Sequence, residues 1–172
     1  MDHSSQEVEL LATRKFRVVA VRRPDGGVKE VVRHPGAVVI LPLLDSDRVC
    51  LIRSYRISVA QMLLELPAGT LEPGEPPEET ARRELIEETG FRCGSLRHLH
   101  SFYLSPGILD EEMHLFVAEG LTPGATAREP GEQIENYICT WETAMEHLDR
   151  GDIRDAKTLT ALLLWNRKNR SW

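Results

Sequence analysis

The sequence lacks paired cysteines and any long apolar segment. Its three cysteines, Cys50, Cys93 and Cys139, are scattered and never spaced as C-x-x-C, which argues against a disulfide framework and against a zinc site. No apolar run approaches the roughly 20 residues that span a bilayer, and the N-terminus has no apolar signal segment. These absences indicate a soluble, cytoplasmic protein with buried, inert thiols and no membrane partner.

An excess of positive charge is also absent. Lysine and arginine number 21 against 27 aspartates and glutamates, and the formal net charge is -6. A broad basic surface for nucleic acid is therefore not expected. A phosphate-rich small molecule can still bind where a cation or a local arginine cluster offsets the charge. The 172 residues suffice for one ordinary domain with a sizeable core.

The apolar pattern predicts a strand-rich chain with one central helix and two late ones. The continuous apolar run 37–44 is typical of a strand buried on both faces. Further strands are predicted over 15–22, 28–33, 48–57, 63–69, 95–104, 113–121 and 135–141, and helices over 77–89, 142–150 and 156–168. Helices must cover the sheet, so we expect an α/β fold with a mixed sheet between helices. A small antiparallel β element, residues 1–34, precedes it.

The central helix concentrates carboxylates on one side. At 100° per residue, Glu84, Glu87 and Glu88 fall within an arc of about 100°. Arg83 can pair with Glu87 at i, i+4 spacing, but this offsets only part of the negative charge. A solvated acidic face is one interpretation. The other is a site for a hard divalent cation, which takes oxygen ligands.

The residues around this helix resemble the Nudix box, G-x5-E-x7-R-E-U-x-E-E-x-G-U with U apolar. Every position matches, and the matched residues are Gly69, Glu75, Arg83, Glu84, Leu85, Glu87, Glu88, Gly90 and Phe91. Such a match arises by chance about once in 10⁸ starting points. The resemblance implies an α/β/α sandwich over residues 35–172, with the box at 69–91, that cleaves nucleoside diphosphates linked to another moiety.

The same resemblance implies roles for the box residues. Glu84, Glu87 and Glu88, with the backbone carbonyl of Ala68, are expected to hold Mg²⁺ or Mn²⁺, with two or more ions once substrate is bound. Glu87 and Arg83 count among the expected catalytic residues. Arg83 and Glu75 are expected to brace the loop, and Gly69 and Gly90 to shape it.

Looser features resemble the ADP-ribose pyrophosphatase branch of the family. Pro106 lies 15 residues after Phe91, and "LLELPAG" and "SYRI" also match the branch. The resemblance implies hydrolysis of ADP-ribose to AMP and ribose 5-phosphate by a homodimer joined through the N-terminal β element. The alternatives are GDP-mannose or a UDP-sugar as substrate, hydrolysis of oxidised nucleoside triphosphates, and a non-catalytic ADP-ribose sensor. The box does not choose among substrates, because base selectivity rests on a few pocket contacts.

Substrate contacts are expected from two arginines and a glutamate. Arg53 and Arg56 are placed to meet phosphate or ribose, Arg56 more than Arg53, with two surface arginines as the alternative. Glu65 is expected at ribose or adenine. Pro106 and Gly107 are expected to contact substrate from their loop.

The long segment 122–134 is predicted to be a functional loop. Within it, Glu132 is the predicted general base, with Glu129 and Glu135 as competitors, because a mobile loop can bring a carboxylate over bound substrate. His98 and His100, at i, i+2, are predicted to share one face of a strand. No third ligand lies near them in the chain, so no histidine enters the mechanism.

Overall fold

The N-terminal residues form a small sheet of their own. The structure, a computed structural model, describes residues 7–128, 131 and 133–169. Strands β1 (Glu7–Ala12), β2 (Arg17–Arg22) and β3 (Val28–Arg33) pair antiparallel in that order. The Arg23 amide donates to the Gly27 carbonyl at 2.7 Å across the turn that follows β2, and Gly26 has a φ of 85°. The predicted antiparallel N-terminal element is confirmed.

Two further sheets make up the rest of the strands. Their members are β4 (Ala37–Pro42), β5 (Arg48–Arg56), β6 (Gln61–Glu65), β7 (Ala68–Thr70), β8 (Ser95–Tyr103), β9 (Glu112–Glu119) and β10 (Ile134–Thr140). One sheet has the order β7-β4-β9-β8 and is mixed, because β4 pairs parallel with β9 and antiparallel with β7. The other has the order β10-β5-β6. All six residues of β4 are buried, as the apolar run predicted.

Helices lie on both faces of the mixed sheet. On one face, Ala81 and Leu85 pack against Val38, Ile40 and Phe116. On the other face, α2 (Trp141–Asp149) and α3 (Ala156–Asn169) contribute Ala144, Ala161 and Leu162 to the larger core cluster. This layered arrangement confirms the predicted α/β/α fold class. Within the part of the chain that the structure describes, no helix is long and apolar enough to cross a membrane.

The box helix departs from regular α geometry in its last turn. The α-helical part, α1, spans Pro77–Glu84, and Leu85–Thr89 form a π-helical turn. A π turn is wound more widely than an α turn, and such turns are frequent at functional sites. The 100° spacing assumed for Glu84, Glu87 and Glu88 therefore does not hold over this turn. Gly90 ends the helix in a left-handed conformation, φ 78°, which glycine adopts without steric cost.

Two other local predictions need correction. The stretch 63–69 does not form one strand, because β6 ends at Glu65 and β7 begins at Ala68. The Pro67 carbonyl between them accepts the Ile40 amide at 2.9 Å. His98 and His100 do not simply share a face, since the register of β8 against β9 shifts between them. A β-bulge interrupts the alternation of side chains that the i, i+2 argument assumed.

Candidate active site

A cavity of about 740 Å³ lies beside the box helix. One wall carries Glu84, Glu87 and Glu88, and the segment 68–73 forms its edge. The hairpin loop between β1 and β2 and the end of β3 also line the cavity and bring basic side chains to it. The arginines and lysine lining the cavity are Arg14, Lys15, Arg17, Arg33, Arg56 and Arg83. A cavity lined by both carboxylates and cationic side chains suits a metal-bound, phosphate-bearing ligand.

Strand β7 passes very close to the box helix. A Cβ added to Gly69 would lie 1.9 Å from Cδ of Glu84, so only glycine allows this approach. The Ala68 amide donates to Oε2 of Glu88 at 2.9 Å, and Glu88 is 5% exposed. The "AG" dipeptide therefore binds the Glu88 carboxylate through Ala68 and leaves space for the Glu84 carboxylate at Gly69.

Arg83 connects the carboxylates of the box. Its Nη1 donates to Oε1 of Glu84 at 2.7 Å and to Oε2 of Glu87 at 3.0 Å. Its Nε and Nη2 donate to the two oxygens of Glu75 at 3.1 and 3.0 Å. The hydrogen bonds from Arg83 lower the pKa of Glu75 to about 2. Arg83 thus ties the loop before the helix to the carboxylate wall.

The oxygen donors at this wall fit a hard divalent cation in chemical type. Three carboxylates and Ala68 line the same cavity, and Mg²⁺ and Mn²⁺ prefer oxygen ligands. Among the described residues, no three acidic, His or Cys side chains already form a metal-binding cluster. Arg83 engages Glu84 and Glu87, while Glu88 accepts the Ala68 amide. A cation would compete with Arg83 for those oxygens.

The end of the π turn is held from outside the box. The Glu87 carbonyl accepts the Ala127 amide at 3.1 Å. The Glu88 carbonyl accepts Nε and Nη2 of Arg128 at 2.9 and 2.8 Å, and the Thr89 carbonyl accepts the Asn136 amide group at 2.8 Å. Sequence reasoning predicted a functional loop over 122–134 but missed Arg128 and Asn136, because only the fold shows that they reach these carbonyls.

Arg56 lines the cavity, whereas Glu65 lies behind it. Arg56 donates from Nε and Nη2 to the two oxygens of Glu65 at 2.9 and 2.7 Å, and Glu65 is 1% exposed. Lys157 donates to Oε2 of Glu65 at 2.6 Å. Burial raises the pKa of Glu65, but the hydrogen bonds from Arg56 and the charge of Lys157 outweigh it and lower the pKa. Glu65 is not among the residues that line the cavity, and both its oxygens accept hydrogen bonds from Arg56 or Lys157. Its expected contact with ribose or adenine stays a prediction.

The remaining predicted contacts lie away from the cavity wall. Arg53 stacks over the ring of Tyr137, with its guanidinium carbon 4.7 Å from the centroid. Pro106 and Gly107 are exposed in a loop, and neither lines the cavity. Asp110, at the end of that loop, does line it, and its Oδ1 accepts the His34 amide at 2.7 Å.

The predicted base falls in a segment that the structure covers only in part. Glu132 and its competitor Glu129 lie outside the described residues. Glu135, the other competitor, is an exposed residue of β10 opposite Arg53.

His98 shares a hydrogen bond with Ser101 at 2.9 Å, and Ser101 shares another with His114 at 2.9 Å. These histidines lie outside the cavity.

Comparison with known proteins identifies related chains over most of the length. A model of the NUDIX domain matches residues 33–162. The ADP-ribose pyrophosphatase of Bacillus subtilis is 39% identical over 146 residues, covering 83% of this chain and 79% of the relative. The GDP-mannose pyrophosphatase of Cronobacter sakazakii is 38% identical over 158 residues, 81% and 80% of the two chains. The methanol dehydrogenase activator of Bacillus methanolicus is 38% identical over 152 residues, 86% and 82%.

A solved structure is also similar throughout. The crystal structure of an ADP compounds hydrolase superposes with a TM-score of 0.76 at 26% identity, covering 99% of this chain and 100% of that one. The similarity therefore includes the small N-terminal sheet as well as the layered domain.

Proposed function

The chain belongs to the NUDIX hydrolase family, and from this premise we propose that it hydrolyses the diphosphate of ADP-ribose to AMP and ribose 5-phosphate. The observation that carries the proposal is the cavity that Glu84, Glu87 and Glu88 share with basic side chains, Arg56 among them. The relative named ADP-ribose pyrophosphatase and the neighbour named ADP compounds hydrolase support the choice of substrate.

The acidic wall is assigned to a divalent metal, which Nudix hydrolases generally need. Glu84, Glu87, Glu88 and the carbonyl of Ala68 would hold it, as Mg²⁺ or Mn²⁺, with two or more ions in the substrate complex. When bound, such ions stabilise charge on the phosphate oxygens and lower the pKa of a coordinated water. Arg83 keeps Glu84 and Glu87 on the same side of the helix.

The basic side chains of the cavity lining are assigned to the substrate. Arg56 presents a guanidinium to the cavity, and a guanidinium binds phosphate oxygens through two parallel hydrogen bonds. Glu132 is assigned as the general base that accepts a proton from the attacking water. Proton removal at that point converts water into the nucleophile that attacks phosphorus while the leaving phosphate oxygen takes up charge.

The deciding experiment is a substrate panel with Mg²⁺ and with Mn²⁺. It compares ADP-ribose, GDP-mannose, UDP-glucose, NADH, a diadenosine polyphosphate and an oxidised dGTP, with products separated by chromatography. We expect the highest kcat/KM for ADP-ribose, with AMP and ribose 5-phosphate as products and no turnover in EDTA. Binding of ADP-ribose without turnover of any compound would instead identify a sensor.

GDP-mannose is the second candidate, supported by the relative named GDP-mannose pyrophosphatase at 38% identity. The reaction would be the same, and only the base and sugar contacts would differ. A higher kcat/KM for GDP-mannose than for ADP-ribose, measured in one buffer, would move the assignment to this substrate.

We also propose that residues 1–34 join two copies of the chain, while residues 35–172 form the Nudix domain of each. Strand β1 is exposed along its length, and Val8, Leu10 and Leu11 are 60, 55 and 53% exposed. Exposed apolar side chains grouped on one strand favour association. Light scattering coupled to gel filtration should give twice the 19.5 kDa chain mass, and Leu10→Glu should reduce it to the monomer mass.

All three cysteines are free, which supports the proposed cytoplasmic location.

A further inference from the structure

A buried lysine on α3 completes the ion-pair network behind the cavity. Lys157 is 8% exposed, and lysine is rarely buried unless it is paired. Its Nζ lies 2.6 Å from Oε2 of Glu65 and 2.8 Å from Oδ1 of Asp155. Lys157 itself does not line the cavity. Any role in the reaction is therefore indirect, and Glu65 is the partner of Lys157 that also binds the cavity residue Arg56.

Glu65 connects Lys157 to Arg56 through hydrogen bonds. Its two oxygens accept two parallel hydrogen bonds from Arg56, at 2.9 and 2.7 Å. The Arg56 side chain is 38% exposed, whereas that of Glu65 is 1% exposed. Buried Glu65 therefore orients the Arg56 guanidinium by binding its Nε and Nη2. Arg56 at the same time lines the cavity. Because Lys157 holds one of the same carboxylate oxygens, it limits the rotation of Glu65 and hence of Arg56.

The start of α3 also holds the backbone next to Glu65. The Leu66 amide donates to Oγ1 of Thr158 at 2.8 Å, and that hydroxyl donates to Oδ2 of Asp155 at 2.6 Å. The Asp155 carboxylate thus accepts a hydrogen bond from Thr158 and forms an ion pair with Lys157. The N-terminus of α3 therefore positions both the Glu65 side chain and the Leu66 backbone amide. Each of these contacts joins residues that are 92 positions apart in the chain.

We propose that Lys157 is a positioning residue for substrate recognition: it fixes Glu65, so that Arg56 presents its guanidinium to an anionic group of the nucleotide sugar. This inference rests on the proposed function, because it assigns Arg56 to the substrate. It changes the role of Glu65 from a substrate contact to the link between Arg56 and α3. Lys157 also balances the charge of the group, since two cations and two carboxylates meet there.

The test compares Lys157→Met, Lys157→Arg and Arg56→Ala with the wild type. Affinity for ADP-ribose is measured by calorimetry in EDTA, which needs no turnover, and KM and kcat are measured with Mg²⁺. We expect Lys157→Met to weaken binding and raise KM about tenfold with kcat within about threefold of wild type, as for loss of ground-state binding. Lys157→Arg keeps the charge and should recover most of the affinity. Lys168→Met, an exposed site on the same helix, is the matched control.

A double-mutant cycle separates positioning from a general structural role. If Lys157 acts through Arg56, Lys157→Met should have almost no further effect on affinity in the Arg56→Ala background, because contacting residues are non-additive. Additive losses, or unchanged affinity in Lys157→Met, would overturn the proposal. If Lys157→Met does not fold, Asp155→Asn is measured in its place. We expect Asp155→Asn to lose less affinity for ADP-ribose than Lys157→Met would. Unchanged affinity in Asp155→Asn would contradict the proposal.

The two proposals fail in different ways. If the wild type binds ADP-ribose but turns over nothing, the proposed reaction is wrong while the affinity measurements still decide the role of Lys157. If another nucleotide sugar is preferred, the same variants are measured with it. Absence of binding to any nucleotide sugar would overturn both.

Discussion

Oε2 of Glu88 accepts a hydrogen bond from the backbone amide of Ala68 at 2.9 Å, although the two residues are 20 positions apart. This contact joins the box helix to β7 at the edge of the cavity. It also places the Glu88 carboxylate beside Ala68, whose backbone carbonyl is expected to bind the metal in a Nudix hydrolase.

Glu88→Gln should lower kcat by about 100-fold, because the neutral amide is a poor ligand for a divalent cation. The chain should still fold, since the amide oxygen can accept the Ala68 amide. Mn²⁺ affinity, measured by electron paramagnetic resonance, should fall in parallel with kcat. Glu79→Gln, an exposed position on the same helix, is the control. Unchanged Mn²⁺ binding in Glu88→Gln would remove Glu88 from the metal site.

Gly69→Ala should lower kcat by at least about tenfold, because the new methyl group would lie 1.9 Å from the Glu84 carboxylate and would displace it. Gly94→Ala is the matched control, since its nearest contact would be an ordinary 3.5 Å. Steady-state kinetics and thermal unfolding of both variants are measured together. Equal activities would show that Glu84 need not keep its present position.

Arg128→Met should lower kcat by about tenfold, a loss typical of groups that orient metal ligands. The substitution removes two hydrogen bonds from the Glu88 carbonyl, so the last turn of the helix loses its outside support. Arg167→Met, exposed on α3, is the control. A change in KM alone would indicate that Arg128 meets substrate instead.

Glu75→Gln should reduce stability in a pH-dependent way. The Arg83 hydrogen bonds lower the pKa of Glu75 to about 2 from its ordinary value of 4.5. A lowered pKa contributes stability that is present above pH 4.5 and is lost as the pH falls toward 2. The difference in unfolding free energy between wild type and variant should therefore be largest near neutrality. Urea titrations at pH 7, 5 and 3 measure it, and a difference that grows in acid would contradict the assignment.

Glu132→Gln should lower kcat by about 100-fold with little change in KM, because it removes the proposed proton acceptor. Glu129→Gln and Glu135→Gln are measured beside it and should stay within about threefold of wild type. The pH dependence of kcat should lose its acidic limb only in Glu132→Gln. A larger loss in either competitor would transfer the role of base to that residue.

The sequence alone determined the features that depend on local pattern. The apolar run predicted a strand buried on both faces, and β4 is buried throughout. Local helix signals predicted a central helix over 77–89, and Pro77–Thr89 are helical and end at Gly90, because caps and breakers act within a few residues. The family membership followed from the same local pattern.

Only the tertiary structure decided how distant residues combine at the site. Lys157 meets Glu65 across 92 positions, and Asn136 meets the Thr89 carbonyl across 47. Hydrophobic periodicity carries no information on such pairs, because they depend on how strands and helices approach each other. The π turn and the bulge in β8 were missed for a related reason: an argument from period assumes regular geometry. The sequence therefore identified the carboxylates, while the fold determined what holds them and Arg56 in place.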